Sequence, residues 1–186
     1  MLETLIVQHG APTLAGLKTG SLFSADAFSE EQMERDAARV NQTLEPRGVC
    51  LAIMKYGNRR ALLYLYREAL LAQCLACPKA ARLLGDCGYH NLTVLGALTT
   101  LRERIAAEDG FPHEIGLFLG YPLSDVTGFI RHGGKHCLLC GCWKVYGEET
   151  KAAHTFARYR KCTDIYSKLF QVGYSLAKLT VAAKSA

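Results

Sequence analysis

The stretch at 111–146, FPHEIGLFLGYPLSDVTGFIRHGGKHCLLCGCWKVY, constrains the fold more than any other. Its apolar runs need burial, and they are cut at fixed places by Gly-Tyr-Pro and Gly-Gly. Glycine accepts positive φ without strain, and proline neither donates to a ladder nor continues a helix. The stretch therefore reads as a buried strand at 115–119, a turn at Gly120-Tyr121-Pro122 and a short helix carrying Val126, Phe129 and Ile130. A Gly133-Gly134 turn and a second strand at 137–146 follow. The stretch also holds three of the six histidines, three of the eight cysteines and the single tryptophan.

The flanking chain is expected to pack around it. Residues 1–27 lack clear periodicity and read as an irregular arm whose Leu14, Leu17, Leu22 and Phe23 seek a partner surface. Ser29 and Gln32 stand at capping-box spacing, and Met33, Ala37, Val40 and Leu44 follow at helical spacing until Pro46 and Gly48. The run VCLAIMKYGNRRALLYLYR predicts a β-hairpin turning near Gly57-Asn58. A helix from about Glu68 to Leu84 is interrupted at Pro78, and another covers about Thr93 to Glu108, with Gly110 as its C′ residue. Residues 148–183 form one long helix or two, divided at Gly173.

These elements predict one domain over 1–186: arm 1–27, core 28–147 and a helical segment 148–186. The fold class is α/β or α+β, with a small mixed sheet of about four strands packed by five or six helices and a long C-terminal helix. A hydrophobic content of 49 % with 21 % charged residues suits a globular chain. No run approaches the ~18 apolar residues of a membrane span, and the N-terminus lacks the pattern of a secretory signal. Cytoplasmic residence, with the cysteines as free thiols, is the expectation. The net charge of +5 is mild, and the basic residues are scattered. It suits an anionic ligand and carries no clear nucleic-acid signal.

Three groups carry candidate chemistry. His113-Glu114 places an imidazole beside a carboxylate, the pair of a general acid/base, with His113 as the proton-transfer group. Tyr121, Ser124 and Asp125 stand where a helix begins, where free amides attract anions, and their plainer role is capping. The arm is expected to fold across 120–125 and add His9, Thr13 and Lys18, with Lys18 holding an anion near His113. His136, Cys137, Cys140 and Cys142 form the third group, an alternative metal or redox site, against the plainer reading of strand packing. The pair Cys74-x-x-Cys77 has zinc-gripping spacing but lies far from the second cluster and falls on a helix stripe. Trp143, Lys144 and Tyr146 offer stacking for a planar ligand beside ordinary core packing. No phosphate loop, dinucleotide fingerprint or nucleophile elbow is present, so no cofactor is named.

HGAPTLAGLKTGSLF, HEIGLFLGYPLSDVTGFI and GCWKVY followed by a helix resemble, in this order, a bacterial family known as domain of unknown function 3793. The resemblance covers essentially the whole chain. It implies a cytoplasmic bacterial protein, chiefly of anaerobic Firmicutes, and no particular activity. From the polar cluster around Gly-Tyr-Pro in an otherwise apolar stretch, function is expected to be binding of a small anionic ligand, or catalysis, at that turn. The alternatives are a cysteine/histidine metal or redox protein, and a non-catalytic interaction module, with a homodimer through the C-terminal helix.

Overall fold

The computed structural model describes residues 1–107 and 111–182. In chain order it contains α1 (Leu2–Leu14), β1 (Gly20–Asp26), α2 (Glu30–Leu44), β2 (Val49–Gly57), β3 (Arg60–Arg67), α3 (Glu68–Ala76), α4 (Pro78–Asp86) and α5 (Val94–Ala106). The one-turn helix α6 (Ile115–Phe118), α7 (Leu123–His132), β4 (Leu139–Cys140), β5 (Lys144–Val145), α8 (Glu149–Gln171) and α9 (Leu176–Leu179) follow. The architecture is α+β with a long C-terminal helix. The strands divide between an antiparallel sheet ordered β1-β3-β2 and a two-stranded hairpin β4-β5. Among the described residues no helix is long and apolar enough to cross a membrane. The expected extension of α5 to Glu108, with Gly110 beyond it, and of the last helix to Ala183 falls outside the described residues. The chain forms two compact units, Met1–Leu71 with Cys162–Ala186, and Ala72–Lys161.

In the first unit the expected irregular arm is instead helix and strand. Leu2, Leu5, Ile6, Gly10 and Leu14 recur at helical spacing, a stripe that Gly10 and Pro12 disguise. Gly10 is a slot for the neighbouring strand, because a Cβ there would lie 2.4 Å from Leu65 Cδ2. The arm's apolar residues thus have a partner of their own: β1 pairs with β3, Leu22 opposite Tyr64 and Phe23 opposite Leu63. The expected docking surface, a strand at 115–119, does not exist. Ser29 caps α2 by accepting from the Gln32 amide at 3.2 Å, and Gly48 ends the following 3₁₀ turn at φ 74°. The β2–β3 hairpin turns through Asn58 and Arg59, both at positive φ. One core joins Ile6, Leu14, Phe23, Met33, Val40, Leu44, Leu51, Leu63 and Leu65 to Leu176 and Leu179 of α9.

Arg67 closes this unit. Its side chain is buried, and its guanidinium donates to the carbonyl oxygens of Thr13, Leu14 and Val181. The first two lie at the carbonyl end of α1, where a cation is favoured. Burial lowers the Arg67 pKa, and the carbonyls supply the hydrogen bonds that a buried guanidinium needs.

The second unit is built of short pieces. Cys77 separates α3 from α4, and Pro78 takes the first helical position of α4, where its missing N–H costs nothing. Thr93 caps α5 by accepting from the Gly96 amide. The expected strand at 115–119 is the single helical turn α6. A short run that is apolar at every position does not distinguish a buried strand from a buried helix. Here the turn buries all of Ile115, Gly116, Leu117 and Phe118. The expected strand at 137–146 folds back on itself as β4-β5, because Gly141 at its tip lies against the Phe156 ring, 2.3 Å from an added Cβ.

Candidate functional site

Gly120-Tyr121-Pro122 ends a helix and does not end a strand. Gly120 takes φ 76°, the Gly120 amide donates to Leu117 O at 3.0 Å and the Tyr121 amide donates to Gly116 O at 2.9 Å. This pair of bonds is the Schellman cap that glycine permits. It swings Tyr121 back over Gly116, which has no side chain to obstruct it. Pro122 then opens α7, its carbonyl accepting from the Asp125 and Val126 amides.

Asp125 ties α7 to the β4-β5 hairpin. Its Oδ2 accepts from Trp143 Nε1 at 2.7 Å, and its Oδ1 accepts from the amides of Tyr146 and Gly147, each at 2.9 Å. A second close approach supports this junction, because Gly128 of α7 lies against the Tyr146 ring, which stands 2.5 Å from an added Cβ. Trp143 is thereby held in an aromatic group. Tyr121 stacks on it at 4.8 Å and Phe156 meets its edge at 4.5 Å. The Tyr121 hydroxyl donates to Cys142 O, and burial pushes its pKa up to about 12.

Between these pieces lies a cavity of about 360 Å³. Its lining comes from Phe111, His113, Ile115, Gly116 and Tyr121, from Asp125, Val126 and Phe129 of α7, and from Cys140, Gly141, Trp143 and Lys144 of the hairpin. The wall is mostly aromatic and aliphatic. Its cationic end is Lys144, whose Nζ donates to Gly134 O at 2.7 Å and lies 5.9 Å from the Phe129 ring centre. An ammonium has three donors, so one bond to a carbonyl leaves capacity for an anion. The His113 imidazole, exposed at one side, meets Phe129 edge-on at 4.9 Å.

Of the residues singled out from the sequence, His113, Tyr121 and Asp125 line this cavity. Asp125 does so with its carboxylate engaged by three donors. Ser124 lines a smaller neighbouring cavity of about 180 Å³, which shares Asp125 and Trp143 as wall. Glu114, next to His113 in sequence, turns elsewhere. It is buried, and its Oε1 accepts from the Tyr89 hydroxyl at 3.0 Å and from Arg104 Nε. Burial, and then the Glu114 carboxylate, raise the Tyr89 pKa, while the Glu114 hydrogen bond raises that of Arg104. The general-base pair suggested by adjacency is therefore divided between two surroundings.

His9, Thr13 and Lys18 belong to the first unit. His9 stacks on Phe23 at 5.5 Å, Thr13 Oγ1 shares a buried hydrogen bond with Ser21 Oγ at 3.0 Å, and Lys18 lies in the turn between α1 and β1. Among the described residues no three His, Cys, Asp or Glu side chains gather as a metal-binding group. His136, Cys137, Cys140 and Cys142 form no such group, and Cys140 alone of them lines the cavity. Phe111, Ile115, Val126 and Phe129 escaped the sequence reading as site residues. Val126 and Phe129, three apart on α7, were legible as one helix face but not as a cavity wall.

The fold and site define an α+β protein with a small, aromatic-walled cavity in its second unit. The chain belongs to the family described as protein of unknown function DUF3793, whose family model matches residues 6–180. No curated protein matches the chain, and no solved structure does.

Proposed function

We propose that the second unit binds a small, flat organic anion in the cavity between α6, α7 and the hairpin. The observation that carries this reading is the lining itself: Trp143, Tyr121 and Phe129 with the Lys144 ammonium at the same cavity. A volume of about 360 Å³ falls in the range of small-molecule sites, which are largely apolar with few orienting polar groups. Aromatic side chains favour a planar partner through stacking. Lys144 supplies the charge that a carboxylate or phosphate would meet, and His113 supplies a second hydrogen bond.

Binding is favoured over catalysis because His113 is not oriented by Glu114, which Tyr89 and Arg104 occupy. Glu114 serves by holding the start of α6, and Asp125 by holding the hairpin. Trp143 is the single tryptophan of the chain, so its emission reports on the cavity directly. Titration with aromatic carboxylates should quench or shift that emission and raise the melting temperature. Lys144→Met should weaken the effect roughly tenfold, the loss of one charge-assisted hydrogen bond. If no aromatic anion changes emission or melting, or if Lys144→Met binds as well as the parent, the reading fails.

A further inference from the structure

Cys74 and Cys77 lie outside the cavity, and neither the fold nor the proposed ligand accounts for their arrangement. Cys74 is in the last turn of α3, and Cys77 is the residue before Pro78, at the N-terminal cap of α4. The Cys77 amide donates to Cys74 O at 3.1 Å. Such a four-residue turn holds its end Cα atoms within about 7 Å, near the span of about 4.4–6.8 Å that a disulfide bridges. The two thiols differ in access. Cys77 is exposed, whereas Cys74 is half-buried and its Sγ donates to Leu117 O at 3.6 Å.

We infer that Cys74 and Cys77 form a redox-active dithiol that exchanges with low-molecular-weight disulfides, Cys77 attacking first and Cys74 resolving. The roles follow from the surroundings. Cys77 sits at the amide end of the nine-residue helix α4. No strict capping hydrogen bond forms there, yet the amides of Ala80 and Lys79, and then the Lys79 charge, favour the thiolate and lower the Cys77 pKa. Burial raises the Cys74 pKa, and so does a charge on Cys77. Cys50, Cys87 and Cys162 are likewise pushed up by burial. A thiolate that is accessible beside a thiol that is sheltered is the division of labour that thiol–disulfide exchange needs.

The chemistry balances in two steps. The Cys77 thiolate attacks one sulfur of R–S–S–R, a Cys77–S–S–R bond forms, and one R–S⁻ leaves. Cys74 then gives its proton to solvent and attacks Cys77 Sγ, the mixed disulfide breaks, and a second R–S⁻ leaves. Two protein thiols are oxidised by two electrons to one disulfide, and the external disulfide is reduced to two thiols.

The test equilibrates the full chain in glutathione buffers from reducing to oxidising, quenches by alkylation, and maps cysteine peptides by mass spectrometry. The expected result is a Cys74–Cys77 disulfide, seen as loss of two hydrogens from one peptide, that reduction reverses. Cys74→Ser should accumulate the mixed disulfide on Cys77, and Cys77→Ser should leave Cys74 unmodified. In the parent, the alkylation rate of Cys77 should level off at lower pH than that of Cys87. This measurement needs no variant to fold. Glutathione held on Cys77 of the parent with Cys74 free at the oxidising limit would overturn the inference. So would Cys77 and Cys87 sharing one rate profile.

Discussion

Arg67 in the first unit and Asp125 in the second are buried alike, at 5 % and 3 % exposure, and do opposite electrostatic work. Arg67 is a cation among carbonyls left over at the end of α1 and in the C-terminal segment. The sheet beside it is already held by two long antiparallel ladders, that of β2 with β3 shifted once in register between Ile53 and Lys55. Asp125 is an anion among donors, and two of them are the amides directly after a hairpin with only two residue pairs. Where a ladder is long, the buried charge fastens chain ends. Where a ladder is short, the buried charge substitutes for it, and the site walls depend on it.

That difference predicts an ordering. Asp125→Ala leaves two amides and the Trp143 indole without their acceptor, and should cost about 3–5 kcal/mol. Arg67→Met keeps volume and removes the desolvation cost of the charge along with its bonds, so it should cost about 2–3 kcal/mol. Urea unfolding followed by circular dichroism measures both. Trp143 emission should change in folded Asp125→Ala and stay as in the parent in Arg67→Met. An Arg67 variant that is the less stable of the two would break the comparison.

The first unit was the more legible in sequence. Ser29 with Gln32, the stripe from Met33 to Leu44 and the β-rich runs around Asn58 are local patterns, and each became the element they imply. The helix α1 was missed because Gly10 and Pro12 signal a turn by themselves. Gly10 answers to Leu65, far along the chain, and that need is invisible locally. In the second unit the apolar run at 115–119 had no period to read, and its conformation follows from the cap in which the Gly120 and Tyr121 amides donate to Leu117 O and Gly116 O. The importance of Tyr121 and Asp125 was legible, because both stand at a punctuated helix start. Their roles were not, since the partners of Asp125 arrive 18 to 22 residues later, on and just past a hairpin whose two short strands read as one. The separation of His113 from Glu114 depends on Tyr89 and Arg104, which nothing in the local sequence links to them.

Alkaline titration sharpens the view of the second unit. Tyr121 is held neutral by burial, its pKa raised from 10.0 to about 12. A raised folded pKa favours the protonated form, so its contribution is complete below pH 10 and is lost as pH rises toward 12. The span corresponds to at most about 2.7 kcal/mol. Tyr121→Phe loses the bond to Cys142 O at every pH but has no proton to release. The stability gap between parent and variant should therefore narrow between pH 10 and 12. A gap that stays constant over that interval would show that Tyr121 ionises in the folded unit as it does in water.

The smallest effect concerns strain, which both units carry outside glycine. Arg59 turns the β2–β3 hairpin at φ 58°, and His136 leads into β4 at φ 60°. A left-handed conformation costs a non-glycine residue about 1–2 kcal/mol, and histidine tolerates it better than arginine does. Glycine would relieve that cost at both places but adds freedom to the unfolded chain, worth roughly 0.5–1 kcal/mol. Arg59 also gives up its position 5.6 Å from the Phe28 ring, a contact of little worth because Phe28 is 80 % exposed. Arg59→Gly should therefore stabilise the chain by about 0.5 kcal/mol, and His136→Gly by less. Urea midpoints compared at equal slope measure the two. A destabilised Arg59→Gly would mean that the Phe28 contact outweighs the turn, so that the first unit, like the second, leans on side chains where its ladder ends.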